Sequence, residues 1–217
     1  MCVKIINDFL NSVYLFIFGM FYFKPRMETS EIVLLMKYLH NAVNYLEFGL
    51  GGSTCLACNY SNIKNIYTVE ASEKWIELLK KYSLIQNHLS EKKIIIDYID
   101  INGDDDNWSY PKNDVKKHNW KNYYNPWNSI SFKPDFILID GRFRVACLLH
   151  CLLNIYNTDH NCVIGIHDYS IRDHYHIVEK FLNILEYKET LYIFTIRVYI
   201  DIKDIKCILY NYENDTR

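Results

Sequence analysis

Four carboxylates, one histidine and two arginines stand in this 217-residue chain where short apolar runs end. Glu47 lies near the end of the run Val43–Phe48, and Gly49, Gly51, Gly52, Ser53 and Thr54 follow it. Glu70 closes Ile66-Tyr67-Thr68-Val69. Asp140 closes Phe136-Ile137-Leu138-Ile139 and is followed by Gly141, Arg142, Phe143 and Arg144. His167 and Asp168 follow Val163-Ile164-Gly165-Ile166. A carboxylate at a strand end can accept hydrogen bonds from ribose hydroxyls or a proton from an alcohol. Imidazole ordinarily titrates near neutrality, and guanidinium matches the fork of a carboxylate or phosphate.

The apolar run, the glycines and the helix-opening Ser53 and Thr54 read as strand, loop and helix, the arrangement that cradles a nucleotide-like ligand. A dinucleotide loop needs Gly-x-Gly-x-x-Gly, but the third glycine position here is Thr54. Glu47 would also repel a pyrophosphate, whereas it suits a ligand with an amino group and a sulfonium. The spacing Glu-x-Gly-x-Gly-x-Ser, carried by Glu47, Gly49, Gly51 and Ser53, resembles the first motif of the class I S-adenosylmethionine-dependent methyltransferases. The resemblance runs from about Met27 to the C-terminus and is most specific at 46–54, 135–144 and 166–169. It implies an α/β fold, a Rossmann-like doubly wound sheet of seven strands in a single domain, to which the apolar segment before Met27 would add an N-terminal apolar helix. It also implies S-adenosylmethionine as cofactor, held by Glu47, Gly49, Gly51, Ser53 and Glu70. The rival readings are a nucleotide-cofactor oxidoreductase and a non-catalytic binding protein that retains the fold.

Methyl transfer is an in-line displacement, so its residues align donor and acceptor and remove a proton from the acceptor hydroxyl. His167 is the expected base, with Asp168 or Asp140 orienting it or taking the proton directly. Of Arg142 and Arg144, one is expected to pair with an acid and the other to hold an anionic group of the substrate. Some O-methyltransferases place acids after these two strands as ligands of a divalent cation. Asp140, His167 and Asp168 would be those ligands here, but the usual Asp-Asp is His-Asp, so a divalent cation is an open but not the favoured reading. The expected reaction is O-methylation of a small molecule such as a sugar or other hydroxylated metabolite.

Composition agrees with a single core: half of the residues are hydrophobic. A net charge of −2 provides no basic field for nucleic acid, and no Asn/Asp-Pro-Pro-Tyr motif occurs. The seven cysteines read as reduced, buried small hydrophobes. Residues 9–23 form an apolar segment shorter than the ~20 residues of a spanning helix. It reads as a packed or membrane-touching helix within an N-terminal segment 1–26, which makes the location cytoplasmic with possible membrane association. The domain proper is read as 27–217, with an irregular insertion at about 102–134 taken as a lid or substrate-side segment. Helices are expected over 28–40, 71–83, 145–153 and 170–185, and the last strands at 191–196 and 198–202.

Overall fold

The computed structural model describes residues 10, 13, 14, 17, 23–156 and 161–217. Most of the apolar segment 9–23 therefore lies outside the described residues. Among the described residues, no helix is long and apolar enough to cross a membrane.

The apolar runs become the strands of one seven-stranded sheet. Strands β1 (Asn44–Phe48), β2 (Asn65–Glu70) and β3 (Ile94–Tyr98) pair in parallel on one side. Two short strands, β4 (Gly103–Asp104) and β5 (Tyr110–Pro111), form a separate hairpin. β6 (Phe136–Ile139) and β7 (Val163–Ile166) continue the parallel sheet from β1. The sheet ends with the antiparallel pair β8 (Leu182–Lys188) and β9 (Leu191–Ile196), giving the order β3-β2-β1-β6-β7-β9-β8. The central strands are buried on both faces, as their unbroken Ile, Leu, Val and Phe runs require.

Helices α1 (Thr29–Leu39), α2 (Gly52–Cys58), α3 (Glu73–Leu79), α4 (Ser83–Ser90), α5 (Lys117–Tyr124), α6 (Arg144–Ile155) and α7 (Ile202–Tyr212) complete the fold. Two hydrophobic clusters, one on each face of the sheet, form the core. Cys55, Cys58, Cys147, Cys151 and Cys162 are free and buried within them, and Cys207 is exposed.

The C-terminal part differs from the sequence expectation. A helix over 170–185 is replaced by a 3-10 run, Asp173–Lys180, that leads directly into β8. Tyr175, Val178 and Phe181 recur every three residues and are all buried, which is the 3-10 period rather than 3.6. The final antiparallel pair is thus β8 and β9, joined through Glu189 in the left-handed region (φ 44°), as a two-residue hairpin turn demands. Residues 198–202 form no strand: Val198 is 99% exposed, and Asp201 caps α7 from outside. The expected helix at 71–83 is two helices, α3 and α4, with Ser72 accepting from Trp75 N to cap the first.

The carboxyl ends of four strands lie level. Phe48 pairs with Val69 and with Ile139, and Ile139 pairs with Ile166. Chain order reverses between β1 and β6, so their ends open the crevice where doubly wound sheets bind ligands. There Gly49 takes φ +100°, and a Cβ on it would lie 2.9 Å from Gly141 Cα. Gly49→Ala should therefore cost about 2–3 kcal/mol, or roughly 5–10 °C in Tm for a domain of this size. Thermal unfolding followed by circular dichroism checks this.

Candidate functional site

The strand register sets Gly49, Glu70, Asp140 and His167 each one step from the same sheet edge, and a cleft of about 690 Å³ opens over them. That volume lies within the range of small-molecule and cofactor sites. Gly51, Ser53, Arg142, Arg144 and Asp168 also line it. Nine of the ten residues expected from sequence thus face one cavity.

Glu47 is the exception. It is fully buried beneath the glycine loop, where it accepts hydrogen bonds from the Ser53 and Thr54 hydroxyls. Burial pushes its carboxyl up to about 8 against the pull of those hydroxyls. It therefore holds the first turn of α2 against β1 instead of presenting a charge to a ligand. Glu70 does reach the cleft. It accepts from Leu50 N at 2.9 Å, Ala71 N at 2.6 Å and Ser72 N at 2.8 Å, so it ties the glycine loop to the end of β2. Burial raises it to about 7 despite these bonds and Arg142.

A compact ionic cluster stands on the other side of the crevice. Arg144, 4% exposed, reaches Asp140 at 3.1 Å and Asp168 at 3.2 Å, and it also donates to the carbonyls of Gly141 and His167. Arg144 is thus the arginine that pairs with acids, and its donors are spent within the protein. His167 Nδ1 lies 2.9 Å from Asp140 Oδ1, and Nε2 lies 3.4 Å from Glu31. Burial pulls the imidazole pKa down, but Asp140, Glu31 and Asp168 together raise it to about 10. These three acids favour the protonated imidazole at neutral pH, a charge state that the local sequence pattern does not show.

Glu31 was not evident from the strand-end motifs. It opens α1 in a capping box with Glu28, and it binds the Thr190 and Leu191 amides beside the β8–β9 turn. Its signal in the sequence is the Glu28-x-x-Glu31 spacing at the start of an apolar-periodic helix. Burial would raise it, yet His167 and Thr190 hold it down at about 2.

Two left-handed residues aim the cluster. Asp168 has φ +58° and Phe143 has φ +54°, each costing on the order of 1–3 kcal/mol. Packing holds Phe143 in place: its ring lies 5.2–5.8 Å from those of Trp120, Tyr123 and Tyr124 on α5. Part of the 102–134 segment is accordingly core, and Tyr123 also accepts from Arg142 N at 3.1 Å.

Asp140, His167 and Asp168 offer donor atoms within 4.8 Å of one another, the geometry a metal would need. Asp140 and Asp168 already face the buried Arg144 guanidinium, so a divalent ion would have to compete with that cation for both carboxylates.

No family model and no curated protein matches this chain. Solved structures do. A methyltransferase-like protein from Silicibacter pomeroyi superposes with a TM-score of 0.74 at 25% identity, over 90% of this chain and 99% of that one. A proposed caffeoyl-CoA O-methyltransferase from Staphylococcus aureus gives 0.51 at 14% identity, over 91% and 93% of the two chains.

The charges make stability depend on pH in a defined way. Glu31, lowered in the fold, stabilises fully above about pH 4.5, and this is lost as pH falls towards 2. His167, raised in the fold, stabilises fully below about 6.5, and this fades until pH passes 10. Glu31→Ala should cost about 2–3 kcal/mol at pH 6, since it removes the partner of His167 Nε2 and the acceptor of the Thr190 and Leu191 amides. His167→Asn should flatten the decline in Tm on the alkaline side; melts across pH 4–10 check both.

With this strand order, glycine loop and set of strand-end side chains, the chain has the fold of the class I S-adenosylmethionine-dependent methyltransferases.

Proposed function

We propose that this protein methylates a hydroxyl of a small molecule, with S-adenosylmethionine as donor. The observation that carries this reading is the shared sheet edge. It gathers a glycine loop, a ribose-type acid and a charged cluster around one cleft at the switch point. S-adenosylmethionine supplies an electrophilic methyl group on a sulfonium centre. The backbone of the loop from Gly49 to Gly51 and the carboxyl of Glu70 would hold it. A Cβ added at Gly51 would meet nothing closer than 3.9 Å, so the cleft above that residue is free.

The ionic cluster serves the acceptor. Asp168 lines the cleft, with Oδ1 3.8 Å from His167 Nδ1, and takes the proton from the acceptor hydroxyl as oxygen bonds to carbon. His167, protonated, stabilises the negative charge that develops on that oxygen, and Asp140 and Glu31 keep it charged and oriented. Arg144 holds the two aspartates at a fixed spacing.

Calorimetric titration with S-adenosylhomocysteine tests the cofactor. Micromolar binding is expected, Glu70→Ala should weaken it about tenfold, and no binding by folded protein would end the reading. With a substrate in hand, His167→Asn should lower kcat by roughly 10²-fold while cofactor affinity stays within about twofold. Turnover should hold level through neutrality and fall as pH passes about 10, where His167 loses its charge.

A further inference from the structure

Arg142 differs from Arg144 in one respect that matters energetically. It is 6% exposed, yet among the described residues it forms no ion pair, and its Nη1 is buried without a hydrogen-bond partner. Glu70 and Asp140 act on the guanidinium from a distance without pairing with it, and a ligand anion at the buried Nη1 would give it the direct partner it lacks. The group lines the cleft and its Cζ lies over the ring of Tyr110, 4.1 Å from the centroid.

Arg172 lines the same cleft and hydrogen-bonds Tyr110. It lies in the turn after Asp168, to which it donates at 3.3 Å, and its own Nε is buried and unpartnered. Burial alone would raise the Tyr110 phenol pKa, but the two guanidinium groups carry it below its ordinary value. The corner formed by these three side chains thus already favours negative charge.

We propose that Arg142 and Arg172, spaced by Tyr110, form an oxyanion subsite for the acceptor, so that the substrate is a hydroxylated molecule bearing a phosphate or carboxylate. This rests on the methyl-transfer reading for the word substrate, while the subsite itself rests on the arginines. Two planar forks around one anion also fix where the acceptor's hydroxyl sits relative to Asp168, four residues before Arg172.

The test is calorimetric titration of the full chain with inorganic phosphate and, separately, with acetate, each with and without saturating S-adenosylhomocysteine. Phosphate or acetate should bind in the presence of S-adenosylhomocysteine, and the tighter of the two identifies the anion. Arg142→Gln should weaken that binding about tenfold or more, with S-adenosylhomocysteine affinity unchanged. Arg172→Gln, at a side chain 27% exposed, should do the same should the Arg142 variant fold poorly. Competition between phosphate and S-adenosylhomocysteine would assign the arginines to the cofactor's own carboxylate and overturn the proposal. So would equal anion binding by wild type and both variants, or no anion binding by protein that binds S-adenosylhomocysteine. Anion binding that needs both arginines, in protein that never binds S-adenosylhomocysteine, would keep the subsite and refute methyl transfer instead.

Discussion

Everything at the cleft depends on charges that are buried together and neutralise one another. Arg144, nearly inaccessible, holds Asp140 after β6 and Asp168 after β7, and His167 joins Asp140 to Glu31 at the start of α1. Each of these ions alone would be expensive to bury; as a network they are mutually compensated. The network also spans elements far apart in the chain, for Glu31 reaches Thr190 beside the β8–β9 turn. The same contacts that close α1 over the sheet edge therefore set the protonation of the cleft.

The glycine loop is organised by a different balance. Glu47 and Glu70 are both buried acids that accept hydrogen bonds, one beneath the loop and one at its side. Glu47 satisfies side-chain hydroxyls at the start of α2, and Glu70 satisfies backbone amides. Burial raises both, which leaves the loop side of the crevice less negative than its composition suggests. On the far side, Phe143 in a left-handed conformation turns Arg142 and Arg144 in different directions. The aromatic cage from α5 bears the cost of that backbone. One arginine is consumed by the fold and the other is left facing the cleft.

Local pattern decided much of this molecule. The apolar runs ending at Phe48, Glu70, Ile139 and Ile166 had to be buried strands, because runs of that length without alternation fit a parallel sheet covered on both faces. Glycines between strand and helix, followed by Ser53 and Thr54, made the ligand loop legible, and strand-end polar residues could only meet at the crevice. The 3-10 run at 173–180 has the sequence pattern of an α-helix, because Tyr175, Val178 and Phe181 suit both periods over so short a stretch.

What tertiary structure alone decided is which polar groups share one environment. The pKa of His167 is a property of three acids brought from residues 31, 140 and 168, so no local pattern foretells that it is a cation. The division of labour between Arg142 and Arg144 depends on which way the chain turns at Phe143, and Glu47 lies under the loop because Ser53 and Thr54 claim it. Secondary structure follows from short-range periodicity and sterics, whereas charge state follows from distances between residues far apart in sequence. The sequence by itself therefore determined the sheet and the place of the cleft, and the folded structure decided its electrostatics.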